Sequence, residues 1–260
     1  MDAESVALDD PLARDLRDIA YAAGAVILEI YAKDFQVDAK ADASPVTEAD
    51  RLAEALILER LAPVLPDVPI VAEESVAAGR IPDISGDRFW LVDPLDGTRE
   101  FISRNGEFTV NIALIRDGSP VAGVVHAPAK NRLYLAAEDG RAWREIDGGR
   151  PEPIACRPCP SEGAVAMVSR SHRSPETETW LKEHRIADMR DAGSSLKFCT
   201  LAEGAADLYP RLGRTMEWDI AAGHAVLKAA GGSVTRLDGG PFTYGKPGFE
   251  NPHFVARGRA

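Results

Sequence analysis

F-W-L-V-D-P-L-D-G-T, residues 89–98, is the stretch on which the reading of this chain turns. Phe89 to Val92 is a short apolar run that reads as a strand. Pro94 and Gly97 then force the chain to turn at once, so Asp93 and Asp96 can converge on one point instead of alternating across a sheet. Strand ends are where functional side chains are commonly mounted. If residues from about Thr98 to Ser103 form a helical turn, the backbone N–H groups of Gly97 to Arg99 point at an anion, which a helix start favours electrostatically.

Further acidic residues stand in comparable places. Glu73 and Glu74 follow the apolar run Pro69 to Ala72, and Asp219 opens the helical pattern W-D-I-A-A-G-H-A-V-L. Each has a local explanation: a solvated loop for Glu73-Glu74, Asx-type capping for the D-x-x-D turn, an N-cap for Asp219, a turn glycine for Gly97. As a set they suggest more, because carboxylates that converge without a balancing cation repel one another. All-oxygen ligation selects magnesium, manganese or calcium over zinc.

Around these segments the chain falls into elements. Leu12, Leu16, Ile19, Ala23, Val26, Ile27 and Ile30 recur at helical steps between Pro11 and Lys33, and a second helix starts near Thr47 and stops before Pro63. Both helices are expected to precede every strand. Val68 to Ala72, Phe89 to Val92, Thr109 to Ile115, Val121 to His126 and Leu133 to Ala137 read as strands, the last three as an antiparallel meander. From Ala164 strands alternate with helices at Pro175 to His184, Ser194 to Glu203 and Asp219 to Ala230, with short strands Asp207 to Tyr209 and Ser233 to Leu237. The order combines α+β and α/β character. Gly148 to Pro160 is the expected seam between residues 1–150 and 151–260, two halves of one compact unit.

Bulk properties narrow the function. A length of 260 residues, 45% hydrophobic and 27% charged, suits an ordinary globular protein, and a net charge of −11 disfavours a grip on polymeric nucleic acid. No stretch approaches the roughly 20 apolar residues of a membrane span. The acidic start MDAESVALDD is unlike a secretory signal, so the cytoplasm is the expected compartment. Cys156 and Cys159, as C-R-P-C, read as a connecting loop more readily than as a redox pair or half a zinc site.

The scattered pattern Asp50, Glu73-Glu74, D-P-L-D-G-T (93–98) and W-D (218–219) with Gly231-Gly232 resembles the lithium-sensitive, magnesium-dependent phosphatase superfamily of inositol monophosphatases and fructose-1,6-bisphosphatases. Within it, D-P-L-D-G-T-R-E-F-I (93–102), S-R-S-H (169–172), G-S-S-L-K-F-C (193–199) and A-D-L-Y-P-R (206–211) are similar to bacterial 3'(2'),5'-bisphosphate nucleotidases of the CysQ type. Arg211 stands where inositol-handling members carry an acidic residue, which suits a substrate with a second phosphate. The resemblance implies a layered α-β-α-β-α sandwich. It implies two or three magnesium ions held by Glu73, Asp93, the Leu95 carbonyl, Asp96 and Asp219.

It further implies that Thr98 and Asp50 pair and, with Glu73, orient and activate an attacking water. Gly97, Thr98, His172, Ser194, Lys197, Arg211 and Asp219 are the implied substrate contacts. Thr47-Glu48-Ala49-Asp50 also fits a capping box, and one carboxylate can serve both ends. Without the resemblance, Lys197 reads as a solvated lysine and His172 as a loop histidine. The implied reaction is hydrolysis of the 3'-phosphate of adenosine 3',5'-bisphosphate to AMP, which clears a by-product of sulfate activation. The alternatives are an inositol monophosphatase or other sugar-phosphate phosphatase, or a non-catalytic binder of metal and nucleotide, disfavoured because every carboxylate and Thr98 are in place. A small phosphorylated substrate is the expected partner, with a homodimer left open.

Overall fold

The computed structural model describes residues 10–39, 45–170 and 174–259. The first helix, α1 (Pro11–Tyr31), is capped by Asp10, whose carboxylate accepts from the Leu12 and Ala13 amides at 2.9 and 3.5 Å. Its buried face is Leu16, Ile19, Ala20, Ala23 and Ile27, as the periodicity requires. A small antiparallel hairpin, β1 (Val37–Ala39) and β2 (Pro45–Thr47), intervenes before α2 (Glu48–Leu61). The expectation that both helices precede every strand is thereby corrected. Such short strands carry too little alternation to register in a sequence.

β3 (Ile70–Ala72) runs into α3 (Glu73–Ala77), and β4 (Arg88–Asp96) into α4 (Thr98–Ile102). β5 (Thr109–Arg116), β6 (Ser119–Ala127), β7 (Arg132–Ala136), β8 (Ala142–Ile146) and β9 (Glu152–Pro153) continue them into a seven-stranded sheet in chain order. Only β3 and β4 are parallel; the rest is a meander longer than expected, because β8 and β9 extend it. The second half holds β10 (Ala164–Ser169), α5 (Pro175–Lys182), β11 (Ile186–Ala192), α6 (Leu196–Ala202), β12 (Leu208–Arg211), α7 (Glu217–Ala229), β13 (Ser233–Arg236) and β14 (Phe254–Arg257). Its strands form a mixed sheet in the order β11-β10-β12-β14-β13.

Three apolar clusters mark the interfaces between layers. Trp90, Val92, Ile112 and Leu114 face α1 and α2, while their neighbours Phe89, Leu91, Ala113 and Ile115 join Phe198, Ala222, Ala225 and Phe254 on the opposite face. Strands buried on both sides show no polar alternation, which is why β4 and β5 read as unbroken apolar runs. Ala166, Val168, Leu181, Leu208 and Val255 fill the third interface, beneath α5. The order is α1/α2, first sheet, α6/α7, second sheet, α5: the α-β-α-β-α sandwich. Gly123 lets α7 approach the first sheet, since a Cβ there would stand 3.1 Å from Ala225 Cβ and 3.2 Å from Ala222 Cα.

The expected seam is more than a linker. β9 still belongs to the first sheet, and Cys156 is buried in the central core with its N–H donating to the Ala230 carbonyl at 2.8 Å. Cys159 is exposed and both thiols are free. No helix among the described residues is long and apolar enough to cross a membrane.

Candidate active site

Parallel pairing of β3 and β4 sets Ala72 opposite Val92, so Glu73, just past the end of β3, and Asp93, still paired with Asn111 of β5, follow side by side. Glu73 does not lie in a loop; it is the first residue of α3. The pairing of β4 with β5 is interrupted between Asp93 and Asp96, a bulge that re-aims both carboxylates. Asp93 Oδ1 accepts from the Leu95 N–H at 3.0 Å, the Asx-type contact expected of the local turn. Gly97 then takes φ 93°, a left-handed conformation strained for any side chain, and α4 begins at Thr98.

Asp50 satisfies both readings of its segment. Its Oδ2 accepts from the Thr47 N–H and hydroxyl, each at 2.7 Å, which caps α2. Its Oδ1 accepts from the Thr98 hydroxyl at 3.3 Å, and that hydroxyl also lies 3.4 Å from the Leu95 carbonyl. The Thr98–Asp50 pair is thus formed, 48 residues apart in sequence.

Asp219 is corrected from N-cap to third residue of α7, which starts at Glu217; its Oδ2 accepts from the Met216 N–H at 2.8 Å. Ser194 is corrected from helix to a left-handed residue, φ 54°, ahead of α6. Its hydroxyl donates to Asp96 Oδ2 at 2.6 Å and contacts the Thr109 hydroxyl. Beside it, Ser195 donates to the Asp219 carbonyl at 2.7 Å, and the Asn111 amide reaches Ser195 Oγ at 3.1 Å and Asp96 Oδ2 at 3.4 Å. This network ties β4, β5, α6 and α7 together.

These elements enclose a cavity of about 520 Å³ with Glu73, Asp96 and Asp219 among its walls, together with Gly97, Thr98, Ser194, Lys197 and Arg211. Asp93, Leu95 and Asp50 are buried. Burial, then repulsion from Asp96 and Glu73, pushes the Asp219 carboxyl well above its usual range. Burial likewise raises Asp96, against the Ser194 hydrogen bond and the attraction of Lys197. Among the described residues no three Asp, Glu, His or Cys side chains are already drawn close enough to enclose an ion. The donor chemistry nonetheless fits one: oxygen ligands of mutually repelling carboxylates in a buried wall suit a hard divalent cation.

Lys197 is not the solvated lysine its position on a helix suggests. It is 4% exposed, its ammonium donates to the Ser194 and Ala192 carbonyls at 2.6 and 3.2 Å, and burial pulls its pKa down to about 8 against attraction from Asp96. Arg211, also buried, ends β12 and donates to the Arg214 carbonyl at 3.1 Å. His172 lies outside the described residues.

Sequence reading missed Glu54, Asn111, Ser195 and Glu107. Glu54 had a signal: it falls one turn after Asp50 on a helix face of Ala49, Ala53 and Ile57, where a carboxylate is out of place. Glu107 accepts from the Gly193 N–H at 2.9 Å and from Arg170 Nε at 2.9 Å, a contact no local pattern announces.

The fold and this carboxylate-walled cavity define a class. The model of the inositol monophosphatase family matches residues 9–257, and the chain belongs to that family. Its relatives include the 3'(2'),5'-bisphosphate nucleotidase CysQ of Escherichia coli (strain K12), 47% identical over 239 residues, 91% of this chain and 95% of the relative. The CysQ of Haemophilus influenzae is 32% identical over 96% of this chain and 94% of its own. Among solved structures, CysQ from Bacteroides thetaiotaomicron superposes with a TM-score of 0.80 at 40% identity, covering 95% of this chain and 97% of that one.

Proposed function

We propose that this chain is a 3'(2'),5'-bisphosphate nucleotidase that removes the 3'-phosphate of adenosine 3',5'-bisphosphate to leave AMP. The observation that carries this reading is the single cavity in which Glu73, Asp96 and Asp219 face Lys197 and Arg211 beside the Thr98–Asp50 pair. The name and 47% identity of the Escherichia coli relative support the substrate. Two or three magnesium ions would be held by Glu73, Asp93, the Leu95 carbonyl, Asp96 and Asp219. Magnesium held there supplies positive charge that acidifies a water molecule and offsets the charge developing on phosphate and leaving oxygen.

The protein's own residues do the rest. The Thr98 hydroxyl, held by Asp50, orients the attacking water, with Glu73 receiving its proton. The N–H groups at the start of α4, from Gly97 onward, favour the scissile phosphate. Ser194 and Asn111 hold the Asp96 carboxylate in place through their hydrogen bonds. Lys197 and Arg211 contribute positive charge to a doubly phosphorylated substrate, and His172 is assigned to the same end from the sequence. Residues 1–150 and 151–260 act as one unit, since α7 brings Asp219 across to the first sheet.

Initial rates on adenosine 3',5'-bisphosphate, inositol 1-phosphate and fructose 1,6-bisphosphate at equal magnesium test the proposal. The bisphosphate nucleotide should be hydrolysed fastest. Faster turnover of inositol 1-phosphate overturns the substrate, and hydrolysis of none overturns the enzyme in favour of a binding protein.

A further inference from the structure

Helix α2 carries two buried carboxylates one turn apart, Asp50 and Glu54, 2% and 3% exposed. Asp50 holds Thr98 at the start of α4. Glu54 reaches α3 instead: Oε2 accepts from the Glu74 N–H and Oε1 from the Ser75 hydroxyl, each at 2.7 Å. The first amides of a helix have no partner within it and need an acceptor from elsewhere. The residue before α3 is Ala72, which has no side-chain acceptor to offer. The missing cap therefore comes from another helix, twenty residues upstream in sequence. Burial raises the Glu54 carboxyl while the hydrogen bonds from Ser75 and the Glu74 amide oppose it, so those bonds are what keeps a charge tolerable there.

We infer that Glu54 is a positioning residue of the reaction: through the backbone of Glu74 it holds Glu73 at a set place relative to the Thr98–Asp50 pair. One rigid helix would then space the two short helices that carry the water-orienting hydroxyl and a magnesium-binding carboxylate. The inference rests on the assignment of Glu73 as a magnesium ligand. A helix as short as α3, five residues, has little stability of its own, so its orientation depends on such an external tie.

The test uses the full chain and reads magnesium binding directly, by calorimetry, beside the magnesium dependence of turnover. Glu54→Gln keeps the shape but removes the charge and leaves one acceptor for two donors, so either the Glu74 amide or the Ser75 hydroxyl must give up the bond it donates. Removal of partners that orient metal ligands typically weakens affinity by roughly ten- to a hundredfold. Magnesium affinity of Glu54→Gln should fall within that range, the half-saturating magnesium for turnover should rise by the same factor, and kcat at saturating magnesium should stay within about threefold. Ser75→Ala, which removes one of the two bonds, should show a smaller shift in the same direction, and it decides the matter if Glu54→Gln does not fold. Ile57→Val, a trimmed core residue one turn further along α2, should lower the melting temperature without moving magnesium affinity. Unchanged affinity in Glu54→Gln, or in Ser75→Ala where it stands alone, overturns the inference if Glu73→Gln loses binding. Unchanged affinity in Glu73→Gln overturns the ligand assignment itself.

Discussion

Gly193→Ala tests how tightly the two halves of the site are joined. An added Cβ would stand 2.7 Å from the Glu107 carbonyl oxygen and 2.9 Å from both Glu107 Cβ and Glu100 Cγ. Two of these atoms belong to the Glu107 backbone and its Cβ, which no rotamer change moves. To reach ordinary contact at 3.4 Å from 2.7 Å the loop must withdraw by about 0.7 Å. The next residue is Ser194, whose bond to Asp96 Oδ2 is 2.6 Å and would stretch toward the limit of a hydrogen bond. Overpacking of this kind costs about 1–3 kcal/mol. Misplacement of reacting groups on the order of 1 Å can cost about a hundredfold in rate. Urea unfolding should therefore show a loss of about 1–3 kcal/mol, and kcat/KM should fall roughly ten- to a hundredfold. Gly86→Ala, with open space around its added Cβ, is the control and should stay within about 0.5 kcal/mol of the parent. If Gly193→Ala matches that control in both stability and activity, the close approach does not govern the site.

Asp219→Asn should lower turnover by orders of magnitude and raise the magnesium requirement, because an amide is a poor ligand for a hard cation; near-normal rates at limiting magnesium would count decisively against the ligand set. Arg211→Ala should raise KM for adenosine 3',5'-bisphosphate by roughly ten- to a hundredfold, since a charge-assisted contact contributes about 1.5–3 kcal/mol. It should spare a substrate bearing only the scissile phosphate, as should Lys197→Ala; equal losses on both substrates would place these side chains at the reacting phosphate instead. Burial of His224 and His126 lowers their pKa values to about 3 and about 4, so both stay neutral in the folded chain. The unfolded chain takes up these protons near pH 6.5, so the stability is fully present above that pH and is lost as pH falls toward 3–4, by about 1.4 kcal/mol per unit for each histidine. His224→Gln should flatten the loss between pH 6.5 and 4.5 in urea titrations, and curves parallel to the parent would refute the assignment.

The chemistry of the site was legible in the sequence because it is written locally. Asp93 and Asp96 lie within one turn, Gly97 and Thr98 begin the next helix, and apolar periodicity places α1, α2 and the meander strands without any knowledge of their partners. Family resemblance then joined Asp50, Glu73 and Asp219 to that turn. Tertiary structure decided what each group does there. Asp50 caps α2 and holds Thr98 at once, Glu54 serves a helix not its own, and Ser194, Ser195 and Asn111 meet Asp96 and Asp219 only because α6 and α7 stack between two sheets. Likewise the burial of Lys197 follows from its place in the central layer, while its place on a helix suggested solvent. Caps, turns and periodicity depend on neighbours within a few residues, so composition and spacing reveal them. Convergence across layers depends on sheet register and packing, which each position encodes only as a weak preference for burial, and those preferences identify contacts only when summed over the folded chain.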